Sequence, residues 1–449
     1  MNDDYWAIDS LHSLGFVGSL NWYWTSFQGN VGSWFFILIH EYSWINGVSP
    51  LASALSFVVS LAILAGASWG GLRYMGFIVP RGWRGSVVIG VTTLVALVSL
   101  TSVVSPSTLT FAYYVPSTIV HVWPWCLGMW VLGFVSGRTT ATTWRGTWVL
   151  CGAAGLVAGL LGFVESIALL TCTGVFAVFA WRRGLWDHPV ARNGWAWAVG
   201  LAVSSAIQFL SPSTWLRATS PETGITDNTN VQAVYRLLAA LTEHVHPSTT
   251  DAALSIFDAV TWTYTLVPLA VVTELLIRPG LVGIALLSSF WVIRRPRDFT
   301  LSRQSLLQRV GVLAIAVATS ACLYAVSGAA YAFAGRHVTG LSIAVCALAV
   351  GFGALSAPWW TRHASLLRAA VAVSVILLVA LGLYQASLAR ERAEAWDAAQ
   401  EVNRARLAGG DVAALLDVGL KGGLSQSGLR DHEGSEAYVI WLRRTGGSK

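Results

Sequence analysis

The chain has 449 residues, 55% of them hydrophobic and only 11% charged, with a mean hydropathy of +0.61. Soluble domains carry about 25% charged residues, so this composition excludes a water-soluble globule and points to a membrane protein with several spans. The formal charge of +6 sits in short loops between apolar runs rather than on one basic face, so no nucleic-acid partner is expected.

Tryptophan is abundant, with 23 copies, and its ring favours the membrane–water interface. The cysteines, Cys126, Cys151, Cys172, Cys322 and Cys346, lie singly in apolar segments without a CxxC. They read as small buried hydrophobes with no metal or disulfide role.

In chain order, residues 1–49 read as an outer loop. Runs of about 20 apolar residues, enough to cross a ~30 Å hydrocarbon core, follow at 50–69, 86–104, 119–137, 147–163, 166–182 and 195–211. A large outer loop spans 212–271, with a re-entrant or interfacial helix at 254–271, and further runs lie at 272–293, 309–332, 340–357 and 366–386. The expectation is an all-α polytopic membrane protein of about ten transmembrane helices over 1–386, with a small extracytoplasmic tail at 387–449.

The positive-inside rule orients these spans. With residue 1 outside, the inner loops collect Arg73, Arg81, Arg84, Arg138, Arg145, Arg182, Arg183, Arg192, Arg294, Arg295, Arg297, Arg303, Arg309, Arg362 and Arg368. The outer loops before the tail hold only Arg217, Arg236 and Arg336 but most carboxylates, including Asp3, Asp4, Glu41, Glu165 and Asp227. No signal peptide or span precedes residue 1. Either the N-terminus crosses unaided or the start lies upstream and a first helix is missing; the second is the expectation.

Most polar features gather on the outer face. Asp3 and Asp4 stand beside Tyr5 and Trp6, followed by Gly15-Phe16-Val17-Gly18 and Trp22-Tyr23-Trp24. Paired carboxylates among aromatics suit a base that deprotonates a hydroxyl while rings stack on sugar faces; a merely solvated acidic terminus fits the pair as well. Tyr113 and Tyr114 lie in a charge-free loop and also read as interfacial tyrosines. Glu165, midway along an apolar run, is either a hairpin tip in the headgroup layer or a functional carboxylate. Arg217 follows Ser211-Pro212-Ser213, and Arg336-His337 is a second outer basic site; arginine's planar fork suits phosphate oxygens, and pairing with a structural carboxylate is the simpler alternative. His244 and His246 form an HxH with no third ligand nearby, which argues against metal. The tail reads as a charged helix from Ala389 to Ala408, ended by Gly409-Gly410, then short strands near 411–416 and 438–442.

Taken together these residues resemble the GT-C superfamily of membrane glycosyltransferases, and within it a bacterial group that includes the pilin arabinofuranosyltransferases. The matching positions are Asp3-Asp4-Tyr5, Gly15 to Gly18, Tyr23-Trp24, Tyr113-Tyr114, Glu165, Ser211-Pro212 with Arg217, Gly335-Arg336 and Trp396-Asp397. The resemblance spans essentially the whole chain through motifs that are individually weak. It departs at Gln28-Gly29-Asn30, where Gly-Arg is usual, and at Ser213-Thr214, which replaces Gly-Asn.

The resemblance implies an inverting transfer from a polyprenyl-phosphate-linked sugar, with a pentofuranose among the candidate donors, to an extracytoplasmic glycan or protein acceptor. It also implies a multi-pass protein of the bacterial cytoplasmic membrane with its active face outside. Asp3 would be the base with Asp4 orienting it; Arg217, Arg336 and His337 would hold the donor phosphate; Glu165, Tyr113, Tyr114, Trp22 and Trp24 would bind sugar or acceptor. No cofactor or metal is expected. The rival readings are a transporter or flippase, which calls for mid-membrane ionisable groups or an internal repeat, and a non-catalytic partner in envelope polysaccharide assembly.

Overall fold

Within a bilayer every backbone N–H and C=O must find a partner in its own segment, so long apolar runs fold as helices. The computed structural model describes residues 2–27, 30–45, 49–80, 82–100, 118–136, 146–185, 191–213, 279–326 and 336–409. These described residues are helical with no strand, apart from one isolated antiparallel bridge between Phe77 and Phe299.

The helices are α1 (Asn2–Trp22), α2 (Val31–Ile45), α3 (Ser49–Tyr74), α4 (Trp83–Leu100), α5 (Trp123–Val135) and α6 (Thr147–Leu161). They continue as α7 (Phe163–Arg182), α8 (Ala191–Phe209), α9 (Pro279–Arg294), α10 (Arg303–Val326), α11 (Arg336–Thr361) and α12 (Ala364–Ala408). Two π-helical turns, Tyr23–Phe27 and Thr118–Val122, follow α1 and precede α5. A helix stands at each expected apolar run. Six stretches are long and apolar enough to cross a membrane: Ala54–Tyr74, Thr118–Val135, Phe163–Arg182, Arg303–Leu323, Gly340–Thr361 and Ala364–Tyr384. Trp83–Leu97, Thr147–Leu161 and Gly280–Arg294 are apolar but shorter. The protein is a multi-pass helical membrane protein.

Three boundaries differ from the sequence reading. Residues 1–49 are largely helical rather than loop, because α1 and α2 bury an apolar face against each other and against the bundle. The turn expected around Glu165 shrinks to Gly162, extended at φ −151° and ψ 126°, so Glu165 lies in the first turn of α7. Helix α12 runs through 386/387 without a break, since helix-forming Ala, Glu and Arg carry it on after the apolar run ends. Its 45 residues make a rod of roughly 68 Å, about twice the hydrocarbon thickness. The expected helix at 254–271 and the strands at 411–416 and 438–442 lie outside the described residues.

Lipid offers no hydrophobic incentive for helices to associate, so close packing and hydrogen bonds do that work. Helices α6 and α8 approach through Gly152, Gly155 and Gly159 on one side and Gly200 and Ser204 on the other. A Cβ on Gly200 would fall on the carbonyl of Gly152, and one on Gly155 on the carbonyl of Trp197. Hydrogen bonds link other pairs: Ser289 Oγ donates to Gly353 O at 2.7 Å, and Ser320 Oγ to Ala168 O at 3.2 Å.

One end of the bundle carries most of the described arginines. Arg73 lies over Trp69 at 5.2 Å and Arg192 over Trp148 at 4.9 Å. Arg309 donates to Tyr74 O at 2.5 Å and to Ser136 O at 3.3 Å, tying the last carbonyls of α3 and α5 to the start of α10. Beside it the Phe77–Phe299 bridge joins the segments after α3 and α9, with Ile78 N donating to Asp298 O at 2.7 Å.

The opposite end is covered by α1, the first π turn and α2. Ala7, Leu11, Tyr23, Trp34, Ile37 and Leu38 pack there with Ile119, Trp123 and Leu161 as a second apolar cluster. Tyr23 stacks on Trp34 with centroids 3.6 Å apart and planes within 8°.

Candidate functional site

The site forms where this covering layer meets the ends of α5, α6, α7, α8 and α11. Its centre is a carboxylate–imidazole pair: Glu165 Oε1 lies 2.5 Å from His121 Nδ1. Glu165 is fully buried, and His121 keeps 12% of its side chain exposed.

Local sequence fixes both residues. Pro124 has no N–H for the Val120 carbonyl, and the chain widens there into the π turn that carries His121. Glu165 occupies the first turn of α7, where unbonded N–H groups and the helix dipole favour negative charge. Two glycines make room. A Cβ on Gly162 would collide with Glu165 Oε2 and sit 2.7 Å from Val120 O. A Cβ on Gly340 would collide with His121 O and sit 2.5 Å from Trp125 Cδ1, so α11 passes closest to the π turn at this glycine.

Along α7 from Arg182, Glu165 lies ~26 Å away, just inside a ~30 Å hydrocarbon core. One turn below the pair an apolar cavity of about 140 Å³ begins among α5, α7, α8, α10 and α11. Trp125, Leu169 and Ala344 line it, and they are the residues four positions after His121, Glu165 and Gly340. Thr173 lines it too and accepts a hydrogen bond from Trp197 Nε1 at 3.1 Å.

The residues singled out from sequence distribute as follows. Asp3 and Asp4 fall in the first turn of α1, one turn before Ala7 and two before Leu11, which pack in the cluster containing Ile119 and Leu161. Arg336 and His337 open α11, one turn before Gly340. Trp22 and Trp24 flank Tyr23 where α1 gives way to the π turn, both half-buried; Trp22 meets Tyr23 edge-on at 4.9 Å. Thus the starts of α1 and α11, Glu165 and the Trp22–Trp24 segment share one end of the bundle. Arg217, Tyr113, Tyr114, His244 and His246 lie outside the described residues.

The two motif departures have structural work. Asn30 Nδ2 donates to Ser33 Oγ at 2.8 Å at the start of α2, with Leu161 O at 3.5 Å. Ser211 Oγ donates to Trp24 O at 2.7 Å and lies 2.8 Å from Ser213 Oγ, all within buried surroundings. They fasten the covering layer to the ends of α6 and α8.

Sequence reading passed over His121 and a second buried pair, His40 Nδ1 with Glu41 Oε1 at 2.9 Å on α2. The available signal was an ionisable residue inside an apolar run. Comparison of the chain with protein-family models, with curated proteins and with solved structures gave no match.

Proposed function

We propose that this protein is an inverting glycosyltransferase that moves a sugar from a polyprenyl-phosphate donor to an extracytoplasmic glycan or protein acceptor. Its arginine end faces the bacterial cytoplasm, following the positive-inside rule, and the end bearing Glu165 faces outward. The further helices at Trp83–Leu100, Thr147–Leu161, Ala191–Phe209 and Pro279–Arg294 complete ten spans.

One observation carries this reading: a buried carboxylate–imidazole pair stands directly above an apolar cavity, beside the helix starts that bear Asp3, Asp4, Arg336 and His337. That arrangement suits an amphiphile whose chain enters the cavity and whose polar head meets ionisable groups. The chemistry needs a proton acceptor as the hydroxyl attacks the anomeric carbon. It also needs cations where the lipid phosphate departs. The motif resemblance supplies Asp3 with Asp4 for the first task, and Arg336, His337 and Arg217 for the second.

The test is glycosyl transfer by membranes containing the full chain, with labelled polyprenyl-phosphate pentoses and hexoses. Transfer from one donor class supports the proposal, and its loss in Asp3→Asn or Asp4→Asn gives that carboxylate a role. Silence with every donor refutes it in favour of a non-catalytic partner in envelope assembly.

A further inference from the structure

We infer that His121 is the base that accepts the acceptor's proton, and that Glu165 is a positioning residue acting through it. The inference rests on the glycosyl-transfer reading and deepens it, moving the proton from Asp3 to a pair that sequence reading did not join.

With Glu165 ionised, the carboxylate only accepts, and Nδ1–H of His121 then donates to Glu165 Oε1 across the 2.5 Å contact. The neutral ring then has its lone pair on Nε2. A carboxylate on Nδ1 both orients the imidazole and stabilises the imidazolium that forms when Nε2 takes a proton.

Charge separates this role from phosphate binding. The pair carries one negative charge with a neutral ring and none with a protonated ring. In neither state does the pair itself offer net positive charge to an anion. Arg336 and His337, at the start of the helix that abuts His121 through Gly340, supply the positive charge that the phosphate needs.

Burial divides the labour within the pair. Glu165 is 1% exposed, so it reaches no sugar directly, whereas the His121 side chain retains 12%. Trp125, one turn after His121, lines the cavity that would take the donor's chain.

The step balances without a co-reactant. The acceptor's O–H bond breaks and its oxygen bonds to the anomeric carbon. The bond from that carbon to the phosphate oxygen breaks, its electron pair leaving with the lipid phosphate. The proton goes to Nε2, and water removes it after product release.

The deciding experiment measures kcat and donor KM in the transfer assay for His121→Gly, His121→Asn, Glu165→Gln, Glu165→Asp and Asp3→Asn. His121→Gly is expected to lose about 100-fold or more in kcat, the usual contribution of a general base, with donor KM little changed. Added imidazole should restore at least about a tenth of the lost rate by replacing the missing base. Glu165→Gln should lower kcat less, and Glu165→Asp less again. His121→Asn keeps a donor for Glu165 and so preserves the local hydrogen bond while lacking the base. Wild-type kcat in His121→Asn overturns the inference and leaves the transfer reading standing. So does a loss in His121→Gly that imidazole does not relieve, or a kcat loss confined to Asp3→Asn. Absence of transfer by the wild-type chain with every donor overturns both.

Discussion

The pairing of His121 with Glu165 makes a prediction about stability that needs no knowledge of the substrate. Removing Glu165 with Ala leaves a mostly buried imidazole without the acceptor that lies 2.5 Å from Nδ1. Losing a hydrogen-bond partner costs a buried polar group about 1–3 kcal/mol, and more where that group is charged. His121→Ala takes the imidazole from the more deeply buried carboxylate, so it belongs at the upper end of that range. The double variant removes both groups and loses mainly their packing. The two single losses should therefore exceed the double loss by about 2–3 kcal/mol. The assay is reversible unfolding of the full chain in mixed micelles, followed by near-ultraviolet circular dichroism, for the wild type, both singles and the double. Additivity within about 0.5 kcal/mol would mean that the residues do not interact, and the reasoning about the pair would fail with it.

Four further predictions concern the framework of the bundle. Gly200→Ile should separate α6 from α8, because even a Cβ falls on the Gly152 carbonyl; a loss above about 3 kcal/mol is expected. Gly90→Ala, whose added Cβ meets nothing within 4 Å, should stay within about 0.5 kcal/mol of wild type in the same unfolding measurement. Arg309→Ala removes charged donors from the Tyr74 and Ser136 carbonyls and should cost about 2–4 kcal/mol, with Arg309→Lys recovering less than half. Ser211→Ala releases the Trp24 carbonyl from a 2.7 Å bond and should cost about 1–2 kcal/mol. Its distinguishing sign is faster amide hydrogen exchange in residues 23–27 than in α8; equal acceleration throughout the bundle would contradict a local fastening role.

The apolar runs were legible in sequence because a bilayer demands long stretches free of charge, and helices stand at all of them. The covering layer was not. Residues 1–27 carry Asp3, Asp4, Asp9 and two internal glycines, with no sustained apolar stripe; α1 even kinks at Gly15, where φ is +69°. Its helices depend on tertiary burial of Ala7, Leu11 and Tyr23 against Ile119, Trp123 and Leu161, a partnership across more than a hundred residues. The end of the apolar run near 386 was read as a domain boundary for the converse reason. Composition changes there because the helix leaves hydrocarbon, while the helix itself continues to Ala408.

The site divides along the same line. Glu165 announced itself as a carboxylate in an apolar run, but its meaning depends on a histidine 44 residues earlier. No local pattern joins the two; the π turn before α5 and the abrupt start of α7 after Gly162 bring them together. Energetics then separate the two ends of the bundle. At the arginine end, Arg309 is satisfied by backbone carbonyls, and the Arg295–Asp298 contact is partly exposed and long at 3.9 Å. At the opposite end, two carboxylate–imidazole pairs are buried, His121–Glu165 and His40–Glu41. Desolvating such pairs usually cancels much of their attraction, so they are a poor way to stabilise a membrane bundle that apolar contacts would hold as well. Their confinement, among the described residues, to the end that also carries Asp3, Asp4, Arg336 and His337 is the reason to seek the chemistry there.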